Sequence, residues 1–154
     1  MQIERAATQD AAEILALQKL AYQSEAAIYN DDTIPPLVQT LEETLADFAR
    51  QIVIKIVDGG CIVGSVRGYK QDGTCYVGKL IVHPDCQNRG LGTRLLREIE
   101  AVFNRAARFE LFTGSKSAKN LYLYHKLGYV PFREQAISEH VSLIFLEKRG
   151  KNAE

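Results

Sequence analysis

The chain has 154 residues, 46% of them hydrophobic and 25% charged, and its 19 basic and 19 acidic side chains cancel. That length suffices for one domain with a proper core, and the neutral balance provides no basic field to draw in nucleic acid or an anionic membrane. No apolar run approaches a membrane span, and Met1 to Arg5 lacks the basic and apolar regions of a signal peptide, so a cytoplasmic protein is expected.

Ile3 to Ala6 reads as a short strand. Asp10 then opens a helix with Glu13 as its capping-box partner, and Ile14, Leu17 and Ala21 recur at helical spacing. The polar stretch Asn30 to Thr33 and the pair Pro35-Pro36 interrupt any continuous helix. A second amphipathic helix follows, with Leu37, Leu41, Leu45 and Phe48 expected on its apolar face. Three strands come next, Ile52 to Val57, Cys61 to Lys70 and Thr74 to Val82, with Asp72-Gly73 marking a hairpin. A helix from Thr93 to Phe103 directs Leu91, Leu95, Ile99, Val102 and Phe103 inward. A buried strand, Phe109 to Phe112, leads to a helix from about Ser117 to Leu127, closed by Gly128. Two strands near Tyr129 to Arg133 and Val141 to Lys148 finish an α+β pattern with a mixed central sheet. One domain over residues 1–148 is expected, with a polar, frayed tail at 149–154.

The cysteines Cys61, Cys75 and Cys86 are odd in number and lack C-x-x-C spacing, which argues against a disulfide framework. Cys61 and Cys75 are expected as small buried apolar residues on neighbouring strands, and Cys86 as partly exposed. His83, His125 and His140 show no metal-ligand spacing, so no metal is expected.

The chemistry centres on Gln87-Asn88-Arg89-Gly90-Leu91-Gly92, a glycine-bearing turn from strand to helix. Such a turn lets backbone close on a bulky anion, with the first free N–H groups of the helix, from Leu91 to Thr93, aimed at it. Arg89 adds charge beside the loop. Alone the spacing is weak, since it has neither the third glycine of a dinucleotide fingerprint nor a P-loop ending. A ligand-free turn and a nucleotide-binding domain both remain open at this point.

A second block, Leu123-Tyr124-His125-Lys126-Leu127-Gly128-Tyr129, lies downstream. Together the two blocks resemble the GNAT superfamily of acyl-CoA-dependent N-acetyltransferases, Gln87 to Gly92 its pyrophosphate loop and Tyr124 the tyrosine of its L-Y-x-K-x-G-F/Y segment. Ile3 to Ala7 followed by Asp10 to Ile14 also looks like that family's first strand and helix. The resemblance covers about Gln2 to Lys148. It implies a mostly antiparallel mixed sheet with helices on both faces, bulged in the strand before the glycine loop and splayed from Phe109 to Phe112. The pantetheine arm of acetyl-CoA, a cosubstrate, would lie in the gap.

The resemblance further implies an oxyanion site at backbone N–H groups around Leu80, Ile81 and Val82, and Tyr124 as the acid that protonates the leaving thiolate. Plain alternatives are an ordinary paired core strand and a packing tyrosine. The base is less legible. Tyr76 and Phe112 stand where relatives place a glutamate, and Glu110 shares a strand face with Phe112, so a water chain ending at Glu110 is the favoured route, with Glu42 or Glu43 as others. Ser117 replaces the family's asparagine that holds the pantetheine arm, and Asn120, nearly a turn further on, can substitute.

The expected function is transfer of an acetyl group from acetyl-CoA to a primary amine by direct attack in a ternary complex. The alternative is a catalytically idle acyl-CoA-binding sensor or regulatory module. The acceptor is a small-molecule amine or a peptide amine, and homodimer formation stays open. The segment from Tyr22 to Leu37 should border its pocket, where Asp31 and Asp32 favour a cationic small molecule such as a polyamine or an aminoglycoside.

Overall fold

The computed structural model of the chain describes residues 1–151. Seven strands form a single sheet: β1 (Gln2–Arg5), β2 (Ile52–Asp58), β3 (Cys61–Gln71), β4 (Thr74–Val82), β5 (Arg108–Gly114), β6 (Val130–Ala136) and β7 (Ser142–Arg149). Their order is β1-β2-β3-β4-β5-β7-β6. Every neighbouring pair is antiparallel except β4 with β5. The β3–β4 hairpin turns where expected, with both Asp72 and Gly73 at positive φ, as a two-residue hairpin loop requires.

Alternation along β2 feeds two cores. Ile54 and Ile56 join α5 (Leu91–Val102), whose Leu91, Leu95, Leu96 and Ile99 are buried, together with Tyr124 of α6 (Ala118–Lys126). Val53 turns to the opposite face, where it packs with Ile14 and Leu17 of α1 (Ala11–Ala21). The mixed sheet is thus flanked by helices on both faces. Three more helices lie between β1 and β2: α2 (Gln23–Tyr29), one-turn α3 (Pro35–Val38) and α4 (Leu41–Arg50).

Two irregularities in β4 shape the molecule. Its pairing with β3 runs from Arg67↔Gly78 to Ser65↔Ile81, so Lys79 and Leu80 stand opposite the single residue Val66. This is a β-bulge, and Lys79 takes φ +45° there, a left-handed conformation that costs a side-chain-bearing residue roughly 1–2 kcal/mol. Pairing of β4 with β5 stops at Tyr76↔Glu110, although both strands continue. β4 follows β3 and β5 follows β7, and a V-shaped gap opens between them. The expected bulge and splay are both present.

Several local expectations are corrected. Glu13 does not cap α1; it accepts the Ile62 N–H at 2.8 Å, pinning α1 to β3. Asp10 instead accepts the Ala7 N–H and pairs with Lys55, each at 2.9 Å. On α4, Leu41 and Leu45 are exposed, whereas Thr44 and Asp47 are buried. Leu37 lies on α3 rather than α4. Cys61 is exposed at the start of β3, while Cys75 is buried and Cys86 intermediate. Phe112 and Val102 are exposed, because β5 buries the alternate residues Phe109, Leu111 and Thr113 and the apolar face of α5 ends at Ile99 and Phe103. Arg149 still pairs with Arg108, the Gly150 N–H reaches the Ala107 carbonyl at 2.8 Å, and residues 152–154 of the expected tail lie outside the described residues.

Candidate active site

Two cavities open on either side of the splayed strands. The first, ≈ 580 Å³, is bounded by the Gln87 to Thr93 turn, by Leu80, Ile81 and Val82, and by Ser117 to Asn120 at the start of α6. The second, ≈ 550 Å³, lies between α2, the one-turn α3 and the diverging β4 and β5. Tyr22, Glu25, Leu80 and Asn120 border both, so the two chambers meet there.

The first chamber is built for an anion. Gly90, at φ +77°, is the N-cap of α5, and no side chain caps the helix. A Cβ at Gly90 would meet nothing within 4 Å, so the space over the turn is open. The unclaimed N–H groups of the first helical turn and the positive end of the helix dipole face a site that suits a phosphate. Gly92 has a different role: a Cβ there would sit 3.1 Å from Leu123 Cδ2, so this glycine lets α6 approach α5. Lys119 borders the chamber and donates to Gln87 Oε1 at 2.7 Å. Among the expected cradle residues Arg89 is exposed and does not border it. The residues present therefore fit a diphosphate-bearing cosubstrate, with Lys119 as the nearby cation in place of Arg89.

At the junction the side chains are linked. Ser117 Oγ donates to Glu25 Oε2, and Asn120 Nδ2 donates to Glu25 Oε1 and to Thr113 Oγ1, both at 3.3 Å. Ser117 and Asn120 are thus brought together as expected, but on Glu25, a residue that no motif singled out. Tyr124 is buried and tilted against Tyr129, with ring centroids 6.1 Å apart. Burial, then the neighbouring Tyr22, then the Glu25 carboxylate push its phenol well above the usual tyrosine range. Tyr22 is pushed up to about 12, first by burial and then by Glu25. Both phenols hold their protons at neutral pH.

The second chamber carries charge of both signs. Glu110 borders it beside Tyr76, its cross-strand partner, and takes Arg108 Nη1 at 2.9 Å. Glu42 and Glu43 do not border it; Glu43 caps α4 by accepting the Thr40 N–H at 2.9 Å. Asp31 and Asp32 are likewise absent from its walls, since Asp31 is turned onto Thr33. The same chamber is lined by Arg67 and Lys79, two cations that sequence reasoning passed over. Both point at Asp47 Oδ2, at 2.7 Å and 3.5 Å. Burial opposes ionisation of Asp47, but the Gln39 hydrogen bond and the charges of Lys79 and Arg67 outweigh it and hold its carboxyl below the usual range.

The model of the acetyltransferase (GNAT) family matches residues 12–129. The fold is shared with the PaiA N-acetyltransferase of Thermoplasma acidophilum, solved in complex with coenzyme A, at TM-score 0.80 and 15% identity over 97% of this chain and 99% of that one. It is also shared with yncA of Salmonella typhimurium, solved with acetyl-CoA, at TM-score 0.74 and 20% identity over 97% of this chain and 93% of that one. A curated relative, the UPF0157 protein YqkA of Bacillus subtilis (strain 168), is 29% identical over 119 residues, which are 77% of this chain and 34% of YqkA. The chain therefore spans about a third of the length of that relative.

Proposed function

This chain belongs to the GNAT acetyltransferase family, and from that premise we propose that it is an N-acetyltransferase, moving an acetyl group from acetyl-CoA to a primary amine by direct attack in a ternary complex. The observation that carries this reading is the meeting of two chambers at Tyr22, Glu25, Leu80 and Asn120, one suited to a diphosphate and one lined for a second substrate. Two chambers with a shared wall hold both substrates at once, and no acyl-enzyme is needed to carry the group between them.

Acetyl-CoA supplies the thioester and the thiolate leaving group. The N-terminal turn of α5 and Lys119 would hold its diphosphate, and the gap between β4 and β5 its pantetheine arm. Backbone at the Lys79–Leu80 bulge, freed from regular pairing, provides N–H groups for the thioester oxygen. The amine nitrogen bonds to the acetyl carbon as the carbon–sulfur bond breaks. Before attack the acceptor ammonium gives one proton through water to Glu110, which stands beside Tyr76, the position where relatives place a glutamate, and after attack the nitrogen releases its second proton to water. Tyr124 gives its proton to the thiolate. Its raised pKa suits this: the proton is present at neutral pH, and the same desolvation raises a thiol placed in the cleft. Solvent then returns a proton to Tyr124 and takes one from Glu110.

Initial velocities measured while both acetyl-CoA and an amine are varied test the reading. A ternary complex gives intersecting lines in double-reciprocal form. Parallel lines, with an acetylated protein isolable in the absence of amine, would replace it with a covalent route.

A further inference from the structure

The second chamber is lined by two cations that the acetyl-transfer chemistry does not use. Arg67 is 1% exposed in the chamber floor. Its Nη1 donates to Asp47 at 2.7 Å and its Nη2 to Gln18 Oε1 at 2.7 Å, but its Nε is buried without any partner. A buried guanidinium N–H left unpaired is costly, and in native structures it calls for an explanation. Lys79 lies beside it, its ammonium making one long contact, 3.5 Å, to the same Asp47 oxygen. An ammonium has three donors, so most of its capacity is unspent.

Asp47 cannot balance both cations. It is the single carboxylate in hydrogen-bond or ion-pair contact with either of them among the described residues, and it also takes Gln39 Nε2 at 2.9 Å and Arg50 at 3.8 Å. Two cations share this one carboxylate, which leaves the Lys79 ammonium, at the chamber wall, with donors free for a ligand. The backbone holds the arrangement in place: Lys79 sits at the bulge with φ +45°, a conformation that persists only where its surroundings over-determine it.

The same chamber is lined by two carboxylates, Glu25 and Glu110. A chamber lined by both signs of charge matches a molecule that carries both. We infer that the acceptor is an amino acid-like amine, whose nitrogen lies toward Glu25 and Glu110 and whose carboxylate is received by Lys79, beside the buried guanidinium of Arg67. This rests on the N-acetyltransferase reading and narrows it. One ammonium with spare donors fits a monoanionic carboxylate better than a phosphate dianion. The neighbouring residue of Lys79, Leu80, borders the junction itself, so the carboxylate is separated from the reacting nitrogen by a short carbon chain. A long polycation such as a polyamine would place its second charge against Lys79.

The test compares matched acceptors with acetyl-CoA present: short α- and ω-amino acids, their methyl esters, and aminoalkyl phosphates of the same length. Each acid should exceed its ester in kcat/KM by about tenfold or more, the scale of one charge-assisted hydrogen bond. Lys79→Met should collapse that ratio, chiefly through KM for the acid, and Lys79→Arg should restore part of it. Esters or plain alkylamines acetylated as well as the acids, an unchanged ratio in Lys79→Met, or a preference for the phosphates would each overturn the assignment.

Binding of short alkanoates to the acetyl-CoA-saturated protein, followed by calorimetry, separates this inference from the reading beneath it. Binding that is lost in Lys79→Met supports the carboxylate site even if no amine is acetylated, in which case only the transferase reading fails. Absence of alkanoate binding to the wild-type protein overturns the carboxylate site while leaving amine acetylation to stand by itself.

Discussion

Tyr124 illustrates how one side chain acquires a task from its surroundings. Its ring is tilted against Tyr129, the residue borders the second chamber, and burial with the nearby Tyr22 and Glu25 keeps it protonated. Tyr124→Phe should lower kcat on the order of a hundredfold, the usual scale for a lost acid, with acetyl-CoA affinity nearly intact by calorimetry. Since the folded-state pKa lies above the ordinary value of about 10, the group stays protonated below that pH, and the alkaline limb of kcat should show no fall from Tyr124 up to about pH 10. An unaffected kcat in the phenylalanine variant would make the tyrosine a packing residue. For the base, Glu110→Gln should depress kcat/KM at neutral pH, with the loss shrinking as rising pH deprotonates the acceptor unaided. Glu25→Gln provides the comparison. A profile unchanged in Glu110→Gln but flattened in Glu25→Gln would transfer the role to Glu25. Tyr124 and Glu110 were accessible to sequence reasoning through a motif and a strand face. Glu25 and Tyr22 fell within the segment expected to border the acceptor pocket, but neither was given a role, because their place at the junction depends on tertiary packing.

At the scale of elements, the strands and the hairpin were legible because alternation and turn chemistry are local. α4 shows where local reading stops. Its leucines suggested an apolar face through Leu41 and Leu45, yet the helix buries Thr44 and Asp47. The reason lies in β3, where Arg67 is enclosed and needs a carboxylate. A helix turned by a buried ion pair leaves no periodic signal. Asp47→Asn should therefore destabilise the fold by about 3 kcal/mol, since it strands two enclosed cations; chemical denaturation measures this. The sign with pH is definite: the folded pKa of Asp47 lies below the unfolded value, so its contribution is present above about pH 4 and lost as pH falls through the folded value. The stability gap between wild type and Asp47→Asn should narrow in acid. A gap independent of pH would mean that the carboxylate's charge does not matter. In the glycine turn, Gly92→Val presses on Leu123 and should cost about 1–3 kcal/mol of stability along with acetyl-CoA affinity. Lys119→Met should lower affinity alone, and equal affinity in the two proteins would remove Lys119 from the cradle.

On the scale of the whole molecule, the bulge and the splay of one strand create the site. Where β4 leaves β5 at Tyr76 and Glu110, the sheet gives up backbone pairing and gains two chambers that share a wall. The family resemblance carried this architecture. The segment Tyr22 to Leu37, expected at the acceptor pocket, does line the second chamber from α2 and the one-turn α3, whereas the inward-facing Arg67 of β3 lies outside every motif. Asp31 and Asp32 pointed toward a cationic acceptor, but they lie off the walls, and Arg67 and Lys79 occupy them instead. The most direct test of acetyl transfer is release of free coenzyme A from acetyl-CoA across a panel of amines and amino acids, with product masses read alongside. The account predicts release that depends on both protein and amine, with one acetyl group added to the amine. Tight binding of acetyl-CoA with no amine-dependent release across the panel would contradict it and identify the chain as an acyl-CoA-binding module.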